Sequence, residues 1–371
     1  MERLKSIDIF RGIGMIYIMV GHMIDWWTIP SEDWLFNVYV SLFSALGAAG
    51  FVFISGVGTM ISYRNRVEKV KITSNYSTKT MRKEYFIRGF LILGLGLLYN
   101  GIVAIQFLDP SVIWKWFIIL TVAASLLLAW PLLKTSKLCR IIIAALIWIL
   151  NQILLTYLLH FNGEANFFGV LFYVLYNSLD QNPILSFLTF FLIGTVIGDL
   201  LFDFSALDDD SEKKRFLKRK IIVPLLACGI VLITTSFWFL LPNLFTEQIL
   251  TINTNIWWLI YSLGLDLIII LILLILEEYH IFNRKRSFRS LFYFSYYSLV
   301  LFLLQNLNYF LFFELLNRYN IWYFIIATIL IYDIFLRFMY KKLEGNFSLK
   351  VQIGKIAKKI ANKSRIEKTL N

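Results

Sequence analysis

The stretch IWWLIYSLGLDLIIILILLIL, residues 256–276, holds one ionisable side chain, Asp266, in 21 positions. At about 1.5 Å of rise per residue, a helix of that length covers the roughly 30 Å hydrocarbon layer of a bilayer. Similar apolar runs occupy 7–27, 41–62, 86–106, 113–133, 141–159, 184–203, 221–241, 291–313 and 322–340, which makes ten candidate spans. Apolar residues form 58% of the 371 and charged residues 16%, against about 45–50% and a quarter in soluble domains. That surplus does not fit inside one soluble core. The expected fold is all-α, a polytopic integral membrane protein with about ten transmembrane helices. A further stretch, 167–179, is too short to cross and is followed by Asp180-Gln-Asn-Pro183; it reads as re-entrant or interfacial.

The chain has 36 Lys+Arg against 24 Asp+Glu, a net charge of +12. With the N-terminus inside, 34 of the 36 cations fall in connections on one side of the membrane, and only Lys115 and Arg318 fall elsewhere. Such one-sidedness is the positive-inside signature of topology rather than a nucleic-acid footprint, and it places both termini in the cytoplasm. It also divides the chain into a transmembrane domain, 1–340, and a basic tail, 341–371. In the tail, Lys350, Lys355, Lys358, Lys359, Lys363 and Lys368 alternate with Val351, Ile353, Ile356 and Ile360. This pattern suits a basic amphipathic helix on an anionic inner leaflet, or a solvated tail. The two cysteines, Cys139 and Cys228, suggest neither a disulfide nor a metal site. His280 falls on the cytoplasmic side, away from the chemistry considered next.

Ionisable groups inside a span are costly and are functional candidates by default. The first span has four. At 100° per residue, Asp8, Arg11, His22 and Asp25 share an arc of about 100°. Arg11 and His22 are 11 residues apart, roughly 16 Å along the axis, so a ligand touching both is long and lies parallel to the helix. The plainer reading is an Asp8–Arg11 pair at the interface and a histidine bonded to a neighbouring helix.

The pattern Arg3-x4-Asp8-x2-Arg11-Gly12-Ile13, with His22 eleven residues past the arginine, resembles the opening of membrane-bound acyltransferases. These include acyltransferase family 3 and, more closely, the catalytic domain of heparan-alpha-glucosaminide N-acetyltransferases and their prokaryotic relatives. Later stretches are similar in the same order: Phe51–Gly56 with Ser62–Arg66, Arg88-Gly89 with Gly94 and Gly96, Lys115–Leu120, and Phe191–Gly198. Ser295–Gln305 resembles a segment in which many relatives carry histidine where this chain has Gln305. The resemblance runs from residue 3 to about 340, and its specific part is the first-span pattern.

The resemblance implies a membrane-embedded acyltransferase, located in the cell membrane of a prokaryote, with cytoplasmic acetyl-CoA (acyl-CoA) as co-substrate and no metal. The acceptor is a glycan or another polar molecule. Asp8, Arg11, Arg64, Arg66 and Arg88 are the expected donor-binding residues, the arginines because guanidinium binds phosphate through charge-assisted pairs. His22 is the expected catalytic residue, as a general base or as an acyl carrier. Asp25 is placed to orient it or to cap the helix, and Trp26 and His160 are on the acceptor side. The glycines of the first three spans suit a slot for a thin pantetheine arm or plain tight packing. Partners are acyl-CoA, the acceptor, the bilayer and a second copy of the chain, without nucleic acid. The alternative is a secondary transporter or flippase of polar or lipid-linked substrates that uses Asp8, Arg11, Asp199 and Asp266; a non-catalytic scaffold is the third reading. Asp333 and Arg337 suit an intrahelical ion pair, Asn100, Asn151 and Gln152 interhelical hydrogen bonds, and Asp266 either such a bond or a proton path.

Overall fold

The computed structural model describes residues 4–73, 76–177, 181–240, 254–279, 288–343 and 345–370, with side chains for all of these except 41–44 and 363–370. Asp180, His280, the run 284–287 and the side chains of Lys363 and Lys368 lie outside the described residues. Among the described residues the chain is helical without strands, and one isolated bridge joins Thr28 to Leu316. α1 (Lys5–Trp27) leads into a short α2 (Trp34–Phe43) and then α3 (Ala48–Ile72). α4 (Thr78–Phe107), α5 (Ile118–Ala129), α6 (Lys137–Leu158), the nine-residue α7 (Phe167–Leu175) and α8 (Ile184–Ser205) follow. α9 (Asp210–Phe216) passes through a π turn into α10 (Val223–Leu240), and α11 (Ile256–Glu278) comes next. α12 (Arg289–Tyr296), α13 (Ser298–Leu304), α14 (Ile321–Leu343) and the tail helix α15 (Leu349–Leu370) complete the order.

Among the described residues eight stretches are long and apolar enough to cross a membrane: α1, α4, Pro110–Ala129, Lys137–Phe161, α8, Asp210–Leu240, α11 and α14. α12 and α13, expected as one straight span over 291–313, are bent by 73° and make a ninth if the pair counts as one. The expected span 41–62 differs most. It breaks at a 3-10 turn and Gly47, and helix resumes at Ala48 and runs on through Arg64 and Arg66. Ser55, Ser62, Tyr63 and two arginines make α3 less apolar than its neighbours, and it packs against α8, α1 and α11. α7, at about 1.5 Å per residue, is far too short to cross; Tyr176 at its end donates to the Asn151 carbonyl at 3.1 Å and so ties it to α6.

Burial separates core from rim. The apolar window of α8 is 83% buried and that of α14 only 17%, so α8 is an inner helix while α14 turns most of its surface outward. Inner helices approach to backbone contact. A Cβ on Gly56 would collide with the Phe191 carbonyl and one on Gly194 with the Phe53 carbonyl, so α3 and α8 meet through paired glycines. Gly12 is likewise pressed against the Leu291 carbonyl, whereas Gly94 has nothing within 4 Å of its open side. Several glycines that suited a slot therefore serve packing.

Five helix starts are capped locally, by Ser77, Ser136, Asn166, Asp209 and Asn255. α1 has no such cap. The Glu277 carboxylate at the end of α11 accepts instead from the Lys5 and Ser6 N–H groups at 2.7 and 2.9 Å, a favourable place for an anion. This contact sets the start of α1 beside the end of α11. At the other end, Leu316 N–H donates to the Trp27 carbonyl at 2.8 Å and Glu314 N–H to that of Trp26 at 2.9 Å. α14 continues past residue 340 to Leu343, and α15 packs on α4 and α13 through buried Ile353, Ala357 and Ala361. Asp333 and Arg337 pair at 2.6 Å within α14, and Asn151 and Gln152 bond to Ser186 and Thr254 across helices.

Candidate functional site

α1 is the axis of the site, with one polar cluster near its start and another near its end. Toward its end, the wall of a cavity of about 450 Å³ contains His22, Asp25 and Trp26, a volume within the range of about 300–1,000 Å³ typical of small-molecule sites. His22 stacks on Trp26 with ring centroids 4.8 Å apart, and Trp26 in turn meets the edge of Tyr309 at 5.7 Å. The two backbone bonds from Glu314 and Leu316, and the Trp27 indole donating to the Asn308 carbonyl at 2.7 Å, hold this end of α1 in place. Asp25 opens onto the same cavity, but among the described residues no hydrogen bond joins it to His22. Stacking, rather than a carboxylate, orients the imidazole.

Other elements complete the wall with polar groups. The Tyr99 hydroxyl and the Asn306 amide bond to each other at 3.0–3.2 Å, and both line the cavity with Gln106. Lys115 reaches it from the segment before α5. That segment is fixed by the Asn100 amide, which donates to the Ile113 and Lys115 carbonyls at 3.0 and 2.7 Å. Asn182, also lining, donates through its N–H to the Trp116 carbonyl at 3.0 Å and accepts at its own carbonyl from Thr121 Oγ1 at 2.6 Å. Trp258, at the start of α11, adds an aromatic wall. The site thus offers one imidazole, one carboxylate, one ammonium and several amides around a space the size of a small polar molecule.

Near the start of α1 the groups are cationic. Arg11 donates to the Ile54 carbonyl at 3.5 Å, and Arg11, Arg66 and Arg88 lie close enough for Arg88 to feel the charge of the other two. Arg66 pairs with Glu84 at 3.5 Å, and Tyr76 donates to the same carboxylate at 2.9 Å. Asp8 accepts from Ser295 at 3.2 Å. Arg64 belongs elsewhere. It pairs with Asp199 and with Asp203, and the buried Arg140 and Lys137 pair with the same two carboxylates. That set ties α3 and α6 to α8.

Among the expected residues, then, His22, Asp25 and Trp26 share one cavity and Arg11, Arg66 and Arg88 share one cluster. Arg64 is committed to carboxylates, and His160 is exposed in the turn after α6, outside the cavity. The residues that sequence reasoning passed over are Lys115, Tyr99, Asn182 and Asn306. Lys115 had a signal: it is one of two cations on the side almost devoid of them. The other, Arg318, donates from its N–H to Glu32 and lies 3.8 Å from it as an ion pair. Asp266 is fully buried against Gly50, and neither carboxyl oxygen has a hydrogen-bond partner among the described residues. Among the described residues, the interhelical bond that was one of its two readings is not formed.

These features define a polytopic α-helical membrane protein with an imidazole in a largely apolar cavity that holds a few polar groups, and an arginine cluster toward the other end of the same helix. Residues 3–207, more than half of the chain, match the family described as heparan-alpha-glucosaminide N-acetyltransferase, catalytic, and the chain belongs to that family, as the first-span pattern led one to expect. It is a membrane acetyltransferase in general class. Ser295–Gln305 lies outside the matched residues. No curated protein matches the chain.

Proposed function

We propose that this protein moves an acetyl (acyl) group from acyl-CoA to a glycan or other polar acceptor held in the cavity beside His22. The observation that carries the reading is that His22 opens on a 450 Å³ cavity, largely apolar with a few polar groups, while Arg11, on the same helix, joins Arg66 and Arg88 in a cationic cluster. An elongated polyanionic donor fits that polarity: phosphates at the arginines, the acyl end toward His22. The 34 cations on one side support placing the donor end at the cytoplasmic face of a prokaryotic cell membrane.

In this reading His22 removes the proton from the acceptor hydroxyl or amine as that atom attacks the thioester carbonyl. The C–S bond breaks, and the imidazolium returns the proton to the sulfur. Trp26 holds the ring, Lys115 and Asp25 position charged parts of the acceptor, and the amides of Asn182 and Asn306 bond its hydroxyls. No metal takes part in these steps. The test is transfer from labelled acetyl-CoA to candidate amino sugars by purified protein. His22→Ala is expected to lower the rate by about 10²–10⁴-fold, and an unchanged rate overturns the assignment. Label retained on wild-type His22 would identify an acyl carrier instead of a base. Gradient-driven uptake without acyl-CoA binding would favour the transporter.

A further inference from the structure

The tail helix carries a second surface. Ile353, Ala357 and Ala361 recur every four residues and are buried on the bundle, and Lys350 donates to the Ser295 carbonyl at 2.7 Å. Ser348, just before the helix, donates to the Tyr296 carbonyl at 3.0 Å. α15 is therefore anchored to the same segment that bonds Asp8 on α1. Its apolar arc is wider than the anchored stripe. Ile356 and Ile360 lie within about 60° of Ile353 around the helix, yet they remain 44% and 48% exposed. Lys355, Lys358 and Lys359 are exposed on the sector beyond them, Lys355 also donating to Asn346 Oδ1 at 2.6 Å.

We infer that the Ile356–Ile360 edge of α15 seats in the headgroup region of an anionic lipid surface, with Lys355, Lys358 and Lys359 against the lipid phosphates. Two features commit the edge to this occupant. A pair of large aliphatic side chains is left about half exposed, and the charges bordering it are cationic, the combination that membrane-surface helices present to acidic leaflets. A peptide or a second copy of the chain would have to bring its own acidic rim to match these lysines. The helix does not float free: its other edge is packed on α4 and α13, so lipid contact and bundle contact are made at once. This holds whether or not the bundle transfers acyl groups.

The test uses full-length protein with Cys139 and Cys228 replaced by serine and a polarity-sensitive fluorophore on Ile356→Cys. It is reconstituted in vesicles of phosphatidylcholine alone or of equal phosphatidylcholine and phosphatidylglycerol, each with spin-labelled quencher lipids. Quenching is expected to be strong in the anionic vesicles, weak in the neutral ones and reduced by salt. A probe on Asn362→Cys, within the lysine sector at headgroup level, should be quenched less than one on Ile356→Cys. Replacing Lys355, Lys358 and Lys359 with glutamine should weaken the response to phosphatidylglycerol by roughly fivefold per lysine, with thermal stability unchanged. Equal quenching in the two vesicle types, or no effect of the glutamines, overturns the inference. So does a signal that grows with protein density rather than lipid charge, which marks contact between copies. Ile360→Cys repeats the measurement if the Ile356 variant does not fold.

Discussion

Arg64 and Arg66 are two residues apart on α3, yet they belong to different chemistries. Arg64 faces Asp199 and Asp203, which also hold Arg140 and Lys137, so three cations are bound to two buried or half-buried acids. Arg66 pairs with Glu84 and lies near Arg88, which also lies near Arg11, so several cations gather around this carboxylate. Charges matched by opposite charges join helices, and a surplus of one sign is a place for a ligand of the other. A 200° turn between the two side chains separates a structural clamp from a candidate donor site.

The comparison can be broken from either side. The largest expected effect is at the clamp: Arg140→Ala leaves Asp199 buried beside a single partner, and should cost about 3–5 kcal/mol, read as a lowered unfolding midpoint in detergent. If stability is unchanged, the clamp is not one. At the cationic cluster the expectation reverses. Arg88→Gln should leave the midpoint close to wild type and weaken acyl-CoA binding by roughly 10–100-fold, the size of a charge-assisted contact, read as KM for the donor. A destabilised Arg88 variant with normal KM would make the two clusters alike.

The smallest effect lies outside the membrane, at Asp109, which caps the segment that presents Lys115. The Ser111 hydroxyl, followed by its N–H at 2.9 Å, holds the Asp109 carboxyl below its ordinary range. The cap is therefore complete above the ordinary carboxylate range and is lost as pH falls through the lowered value. Acceptor KM should therefore rise on the acid side, Asp109→Asn should flatten that rise, and an identical acid profile in the variant would detach the cap from the site.

How much of this was legible from the chain depends on the residue. The spans follow from apolar runs because a bilayer demands length and hydrophobicity; α3, packed against α8, α1 and α11, and the bent α12–α13 pair departed most from their expected form. His22, Asp25 and Trp26 were legible because three- and four-residue spacing on a helix places side chains on one face by geometry alone. Arg64 was grouped with the donor arginines because its partners, Asp199 and Asp203, are 135 and 139 residues away and leave no local mark. His160 was counted with His22 because both lie toward the same side of the membrane, and sidedness does not imply contact.

The amino-acid sequence by itself determined the class, the family and the polar stripe along α1, since these depend on composition, local periodicity and a linear pattern. Only the tertiary structure decided which groups meet. It stacked His22 on Trp26 instead of bonding it to Asp25, brought Lys115 into the cavity, left Asp266 without a hydrogen-bond partner among the described residues and split the apolar arc of α15 between bundle and exposed edge. The reason is physical. Helix periodicity assigns a side chain to a face, but whether that face meets a carboxylate, a glycine or open space depends on how helices distant in sequence pack against it.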